Sequence, residues 1–174
     1  DRLLRMMSEL DIETRLGRKM VRFEANQVVT EGGAFDADLI LFMPGMTGPA
    51  WLDDTDLPKS PGGLIQVDAQ CRVPGWERVY VAGDSGSFPG PDWMPKQAHI
   101  ADLQARAAAA NLLAELDGKS ATATFKTELI CIVDMLDRGM LVWRTPERLL
   151  TLPPSWFGHQ AKRFYEWWYL RQYR

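Results

Sequence analysis

The 174-residue sequence is poor in cysteine, has no long apolar run and carries little net charge, and each of these absences excludes a class of protein. Two cysteines, Cys71 and Cys131, are too few for a disulfide framework or a zinc site, so we predict no metal. Because no stretch of about 18 apolar residues occurs, we expect no helix that spans a membrane. A net charge of -3 gives no general case for binding nucleic acid.

What the sequence does contain is enough apolar residues, 46%, to bury a sizeable core. Strand-like segments alternate with glycine- and proline-rich loops and one long helix, an order that predicts an α/β fold. The elements expected in the first third are the end of a helix near Leu10, two short strands, "KMVRFEA" and "QVVTEGG", joined at Ala25 and Asn26, and a buried strand from Leu39 to Met43.

The remaining two thirds begin with a loop-rich connection up to Gly63 and a strand-like "GLIQVDAQCRV". The clearest helix is "QAHIADLQARAAAANLLAEL", because alanine and leucine have high helix propensity, and Gly118 is placed to end it. A strand-like "FKTELICIVDML" with Cys131 then leads through a turn at Asp137 to Gly139 into "MLVWRT".

The segment "VYVAGDSGSFPG" combines a strand pattern with a glycine and an acid. Val79 to Ala82 have the β-branched and aromatic side chains of a buried strand. Gly83 permits a close backbone approach, and Asp84 places a carboxylate at the carboxyl end of the strand, where open α/β sheets hold ligands. From the residues alone, Asp84 fits a ligand contact and an ordinary turn or capping residue equally well.

Two polar residues stand at the start of the long helix. Lys96 lies where the helix dipole disfavours a cation unless an anion is near, so it is either an anion-binding group or a solvated surface lysine. His99, one turn further on, is either a partly buried structural histidine, the commoner case, or a proton relay.

Taken together, "ERVYVAGD" and "MPKQAHIADLQARAAAANLLAEL" resemble the second FAD-binding segment of the pyridine nucleotide-disulfide oxidoreductase superfamily. "MPK" before the helix, "ELICIVDMLDRGMLVW" after it and an aromatic, basic C-terminal helix narrow the resemblance to sulfide:quinone oxidoreductases. One departure is that Gln97 and Ala98 follow the lysine, where the family usually has a small residue and then glycine.

The resemblance implies a role for several residues. Gly83, Asp84, Pro95 and Lys96 would contact FAD, and Lys96 would also approach a quinone. Cys131 would be the later of two redox cysteines that take up sulfide sulfur and pass electrons to the flavin. Its partner cysteine is expected upstream of residue 1.

The resemblance also implies that part of the enzyme lies outside this sequence. No G-x-G-x-x-G motif follows a predicted strand, so no loop here would hold the FAD pyrophosphate on a helix N-terminus. We therefore expect a partial two-dinucleotide-binding-domain flavoprotein fold that by itself binds FAD poorly. The expected divisions are the end of the second (NAD-type) dinucleotide-binding domain, the C-terminal part of the FAD-binding domain, and a redox-cysteine and membrane-interface region, over residues 1–48, 49–120 and 121–174.

The C-terminal segment, residues 156–174, contains eight aromatic residues and four Lys or Arg against one Glu. Its aromatic and cationic residues recur at helical spacing, which predicts an amphipathic helix that lies in a membrane interface, as in a peripheral membrane protein. Packing on the protein's own core or at a homo-oligomer contact is nearly as well supported. The residues expected at the membrane or the quinone are Phe164, Trp167 and Trp168.

The function predicted from these features is an FAD-dependent oxidoreductase that passes electrons from sulfide, through a cysteine and FAD, to a membrane quinone. The alternatives are a type II NADH:quinone dehydrogenase, which would not need Cys131, and a flavocytochrome-linked sulfide dehydrogenase, which would use a cytochrome instead of the membrane. A non-catalytic module that docks on a membrane or a partner is an alternative of another class.

Overall fold

The structure is a computed structural model that describes residues 2–171 and divides into two compact units. The first unit ends at Gly45, and the second begins at Met46. Among the described residues, no helix is both long enough and apolar enough to cross a membrane.

The first unit contains one helix and a three-stranded antiparallel sheet. Its elements are α1 (Arg2–Glu9), β1 (Met20–Glu24), β2 (Gln27–Thr30) and β3 (Gly33–Asp36). The strands follow each other as a meander, β1-β2-β3, and the turn between the first two is made by Ala25 and Asn26. Asn26 adopts a φ of 57°, a left-handed conformation that asparagine tolerates better than most residues. The two predicted strands and the turn that joins them are confirmed.

The buried strand expected from Leu39 to Met43 does not form. These residues belong to no strand of the described chain, and Leu41 and Met43 are 82% and 91% exposed. A strand needs a hydrogen-bonded neighbour as well as an apolar sequence, and the meander ends at Asp36 without one for this segment.

The second unit begins with a small core under short elements. A 3₁₀ helix over Ala50–Asp54 is followed by β4 (Ile65–Gln66), which pairs in parallel with β5 (Gly86–Ser87). The buried side chains of this cluster are Leu52, Ile65, Val67, Val73 and Val81. The long strand-like pattern from Gly63 onward thus yields a two-residue strand, one isolated bridge at Arg72 and otherwise irregular backbone.

The expected strand from Val79 to Ala82 is an extended segment with one isolated bridge, between Arg72 and Tyr80. This bridge is made by two backbone hydrogen bonds, from Val73 N–H to the Val79 carbonyl and from Val81 N–H to the Cys71 carbonyl, both 2.9 Å. Val81 is buried and Val79, Tyr80 and Ala82 are half-buried, but the segment has no regular ladder with a second strand in the described chain.

Helix α2 (Ala98–Leu116) matches the predicted long helix, and its buried residues recur every three or four positions. At its C-terminus Gly118 has a φ of 71° and donates to the Glu115 carbonyl, while Lys119 N–H donates to the Ala114 carbonyl. This pair of bonds is a Schellman motif, so Gly118 ends the helix as predicted.

A second antiparallel sheet carries Cys131. Its strands are β6 (Leu129–Met135), β7 (Arg138–Arg144) and β8 (Leu149–Thr151). Cys131 faces Val142 across the β6–β7 pair. The prediction of a cysteine-bearing strand followed by a tight turn is correct, although the turn residues are Leu136 and Asp137.

Helix α3 (Trp156–Arg171) packs on this sheet where two glycines meet. A Cβ atom added at Gly139 would lie 2.6 Å from the backbone nitrogen of His159, so the two backbones touch without intervening side chains. The described part of the predicted tail is therefore helical, and the chain has the α/β class with a C-terminal helix that the sequence indicates.

Candidate functional site

Gly83 brings the end of the extended segment close to helix α2. Its φ is 73°, its N–H donates to Gln104 Oε1 at 2.8 Å, and an added Cβ would lie 3.4 Å from the Ala101 Cβ. A single 3₁₀ turn, Gly83–Ser85, then exposes Asp84. Glycine suits this position because a side chain would be strained by the positive φ.

A cavity of about 250 Å³, here called the Asp84 cavity, opens beside this turn and the start of α2. Asp84, Pro95, Lys96 and Gln97 line it together with the loop that precedes the helix. Gly83 also lines this cavity, so the structure brings together all four residues predicted to contact a cofactor. The cavity is smaller than the roughly 300–1,000 Å³ of pockets that enclose a drug-sized ligand, so it would hold only part of a dinucleotide.

Lys96 binds the backbone around Asp84. Its Nζ donates to the carbonyl oxygens of Asp84 and Gly86, both at 2.9 Å. Partial burial lowers the pKa of Lys96, and the Asp84 carboxylate opposes this shift. The ammonium thus ties the start of α2 to the strand-end turn.

Gln97 presents an unsatisfied acceptor to the same cavity. Its Oε1 is buried and has no hydrogen-bond partner among the described residues. A buried polar atom without a partner costs free energy, so a donor from a bound group would stabilise the site. With the Lys96 ammonium and the Asp84 carboxylate, the cavity offers donors and acceptors that suit the hydroxyl- and amide-bearing part of a flavin cofactor.

A second cavity, of about 500 Å³ and here called the Cys131 cavity, lies between α2, β6 and α3. Its walls are mainly apolar, and the half-buried Cys131 lies on its β6 side. The lining residues are His99, Ile130, Cys131, Ile132, Ala161, Lys162, Tyr165 and Glu166. The first turn of α2 thus separates the two cavities, with Gln97 in one and His99 in the other.

The other cysteine is in a different environment. Cys71 is fully buried, and burial together with the nearby Asp68 carboxylate raises the pKa of its thiol to about 11. A thiol of that kind is inert at neutral pH, because the thiolate is the reactive form. Cys71 therefore does not share the environment of Cys131.

A hydrogen-bond network that the sequence patterns did not reveal joins α2 to the start of β6. The Glu128 carboxylate accepts bonds from His99 Nε2 at 3.1 Å, Lys126 Nζ at 2.7 Å and Trp143 Nε1 at 3.5 Å. The bond from Lys126 lowers the pKa of Glu128, helped by those from His99 and Trp143 and opposed by burial. The one signal in the sequence that points to Glu128 is its position as an acid directly before the apolar strand β6.

On α3, the residues predicted to meet a membrane point away from the sheet. Phe164, Trp167 and Trp168 are 66%, 53% and 50% exposed. The Phe164 and Trp167 rings lie 5.8 Å apart, and the Arg171 guanidinium lies 4.3 Å above the Trp167 ring. Lys96, the other residue assigned to the quinone or membrane, lies at the Asp84 cavity instead of on this helix.

A sequence model of the pyridine nucleotide-disulphide oxidoreductase family matches residues 1–105, more than half of the chain. The chain belongs to this family. The matched residues include Asp84, Lys96 and His99, so both cavities have part of their lining inside the family region. Members of this oxidoreductase family typically bind flavin.

The fold of one solved structure is similar over almost the whole chain. The sulfide:quinone oxidoreductase from the hyperthermophilic bacterium Aquifex aeolicus superposes with a TM-score of 0.81 at 19% sequence identity. The match covers 98% of this chain and 44% of that one, so the chain spans less than half the length of its structural neighbour. The predicted partial flavoprotein fold is confirmed.

Proposed function

We propose that this chain is the C-terminal portion of an FAD-dependent oxidoreductase of the sulfide:quinone type. The observation that carries the proposal is the position of Cys131, a half-buried thiol in a mainly apolar cavity beside the first turn of α2. The other side of that turn lines the Asp84 cavity. A redox thiol and a candidate cofactor site therefore flank one helical turn.

The residues that would hold FAD are Gly83, Asp84, Pro95, Lys96 and Gln97. FAD, when bound, supplies the two-electron chemistry of the reaction. Asp84 would accept a hydrogen bond from a hydroxyl group, and Gln97 Oε1 is a second, unsatisfied acceptor. Lys96 would place a positive charge where negative charge develops on reduction.

Cys131 would act as the sulfur acceptor. A thiolate is the reactive form of cysteine, and attack by sulfide on a disulfide between Cys131 and a second cysteine would leave a persulfide on one sulfur and a thiolate on the other. The apolar walls from Ile130 and Ile132 would limit the access of water to this sulfur.

Helix α3 would bring the enzyme to a quinone dissolved in a membrane. Its exposed aromatic face, formed by Phe164, Trp167 and Trp168, has the amphipathic rings that settle at the headgroup level of a bilayer. Arg171, above the Trp167 ring, would face anionic lipid. We therefore propose a peripheral membrane protein that contacts the bilayer through this face.

Anaerobic titration of the full-length protein, followed by flavin absorbance, tests the proposal. Sulfide should bleach the flavin and a quinone should restore it, and Cys131→Ser should reduce sulfide-dependent bleaching at least about a hundredfold, because no other described thiol lines the cavity. Cys71→Ser is the matched control and should behave as the wild type.

NADH, titrated separately, distinguishes the alternative donor. Bleaching by NADH but not by sulfide, with Cys131→Ser unaffected, would replace the proposal by an NADH:quinone dehydrogenase. Protein that holds no flavin as purified or after reconstitution would instead favour a docking module.

A further inference from the structure

The Cys131 cavity contains a histidine to which the proposed electron transfer gives no role. His99 lines it from α2, and Cys131 lines it from β6. The imidazole is partly buried, with 29% of its side-chain surface exposed. An imidazole therefore shares a mainly apolar cavity with the thiol.

The partner of His99 determines which of its nitrogens carries the proton. Glu128 is buried, and three donors favour its ionised form, so its carboxylate can only accept hydrogen bonds. The 3.1 Å contact therefore requires a hydrogen on His99 Nε2. In the neutral ring, Nδ1 then keeps its lone pair and is the basic nitrogen.

Two further donors fix the position of the Glu128 carboxylate. Lys126 Nζ lies 2.7 Å from its Oε2, and Trp143 Nε1 approaches the same oxygen at 3.5 Å. Its charge is therefore kept in place beside the imidazole, and a buried carboxylate at that distance stabilises a protonated ring.

We propose that His99 Nδ1 is the proton acceptor for the Cys131 thiol and that Glu128 is the residue that positions and supports it. The S–H bond of Cys131 breaks, the proton crosses the cavity that both residues line to reach Nδ1, and the electron pair stays on sulfur as the thiolate. This rests on the proposed function only in taking Cys131 as the reacting thiol.

Other charged groups that face the cavity come from α3. Lys162 is paired with Glu166 at 3.5 Å and with Asp134 at 3.9 Å, and Tyr165 completes that wall. These carboxylates offset the charge of Lys162. The lysine therefore stabilises a thiolate less than the imidazolium that the proton transfer itself would form.

The test is the pH dependence of alkylation of Cys131 by iodoacetamide in the full-length holoenzyme, quantified by site-resolved mass spectrometry. In the wild type the rate should rise with pH to a plateau as the thiolate forms, and the midpoint of this rise is compared between variants. His99→Gln and His99→Asn should move this midpoint upward by about one unit, which makes alkylation near neutral pH about tenfold slower. Glu128→Gln should move it in the same direction by a smaller amount.

His159→Gln is the matched control, because His159 is also paired with a carboxylate, Asp134 at 2.9 Å, but does not line the cavity. Its midpoint should equal that of the wild type. An unchanged midpoint in either folded His99 variant would overturn the proposal, and an unchanged midpoint in Glu128→Gln would overturn the role of Glu128. Alkylation uses neither sulfide nor quinone, so this result is independent of the outcome of the flavin titration.

Discussion

At the scale of single residues, burial and hydrogen bonding decide what similar side chains can do. Two cysteines have the same chemistry, yet Cys71 is fully buried beside an acid, whereas Cys131 lines a cavity. Two buried amides on α2 show the same contrast, because Gln104 accepts the Gly83 N–H beside the Asp84 cavity while Asn111 bonds backbone groups of Gln70 and Ala123. The neighbourhood of a side chain, more than its type, separates functional from structural residues here.

Asn111 is a structural residue whose loss should be costly. Its Nδ2 donates to the carbonyls of Gln70 and Ala123, and its Oδ1 accepts from Ala123 N–H, all within 2.9 Å. Asn111→Ala should lower the free energy of unfolding by about 2–4 kcal/mol, because several buried backbone groups lose their partners. Urea denaturation of the full-length protein measures this, and the exposed Leu113→Ala should change stability far less; equal losses would contradict the expectation.

At the scale of elements, backbone contacts between glycines place α3 on its sheet. Gly139 on β7 and Gly158 on α3 approach so closely that neither has room for a Cβ atom. His159 and Lys162 then add ion pairs to Asp134 on β6. The helix that forms one wall of the Cys131 cavity therefore depends on two small residues.

Gly158→Ala tests this packing. Alanine is the better helix former, but its Cβ would overlap the Gly139 backbone, so the variant should lose about 1–3 kcal/mol as overpacked sites do. Displacement of α3 should also speed alkylation of Cys131 severalfold. The exposed Arg163→Ala is the control; if Gly158→Ala matched it in melting temperature and alkylation rate, the glycine contact would have no such role.

The sequence predicted most elements whose stability is local and fewer of those that need distant partners. The helix ending at Gly118 and the hairpin around Asn26 follow from propensity and turn chemistry that neighbouring residues supply. The prediction of a strand from Leu39 to Met43 was wrong, because an apolar run indicates burial but does not supply the neighbouring strand that pairing requires. The Glu128 network could not be predicted because His99 lies 29 residues from Glu128 in the chain and the two meet only through packing.

At the scale of the whole molecule, carboxylates tie the Cys131 sheet to both long helices. Glu128 bonds His99 on α2, and Asp134 bonds His159 on α3. The bond from Lys126 to Glu128 and the bond from His159 to Asp134 are the main causes that lower the pKa values of the two acids. The folded protein thus holds both as anions.

These shifts predict a loss of stability in acid. A carboxyl whose pKa is lower in the folded state stabilises the fold above its unfolded pKa, about 3.9 for Asp and 4.3 for Glu, and this contribution is lost as the pH falls through the folded value. Urea midpoints between about pH 5 and about pH 2 should therefore fall, and Glu128→Gln with Asp134→Asn should flatten this dependence. Asp117→Asn, in an exposed ion pair with Lys119, is the control; an equal slope in the double variant would contradict the prediction.

Membrane contact is also a property of the whole molecule. Replacing Phe164, Trp167 and Trp168 with alanine should weaken binding of the full-length protein to vesicles of anionic lipid by about tenfold or more, because interfacial binding scales with buried apolar area. Co-sedimentation measures the effect. Replacing the exposed Leu113 and Leu116 of α2 is the control, and undiminished binding by the α3 variant would exclude this face as the contact.

The sequence by itself determined where the main helices and turns lie. It also determined that Cys131 lies in an apolar strand and that Asp84 follows the "VYVAG" segment. These features depend on residues that are neighbours in the chain. Only the tertiary structure decided that the first turn of α2 separates two cavities, with Gln97 unsatisfied in one and His99 beside a buried Glu128 in the other. The physical reason is that burial and hydrogen bonding between distant segments set the charge and reactivity of a side chain.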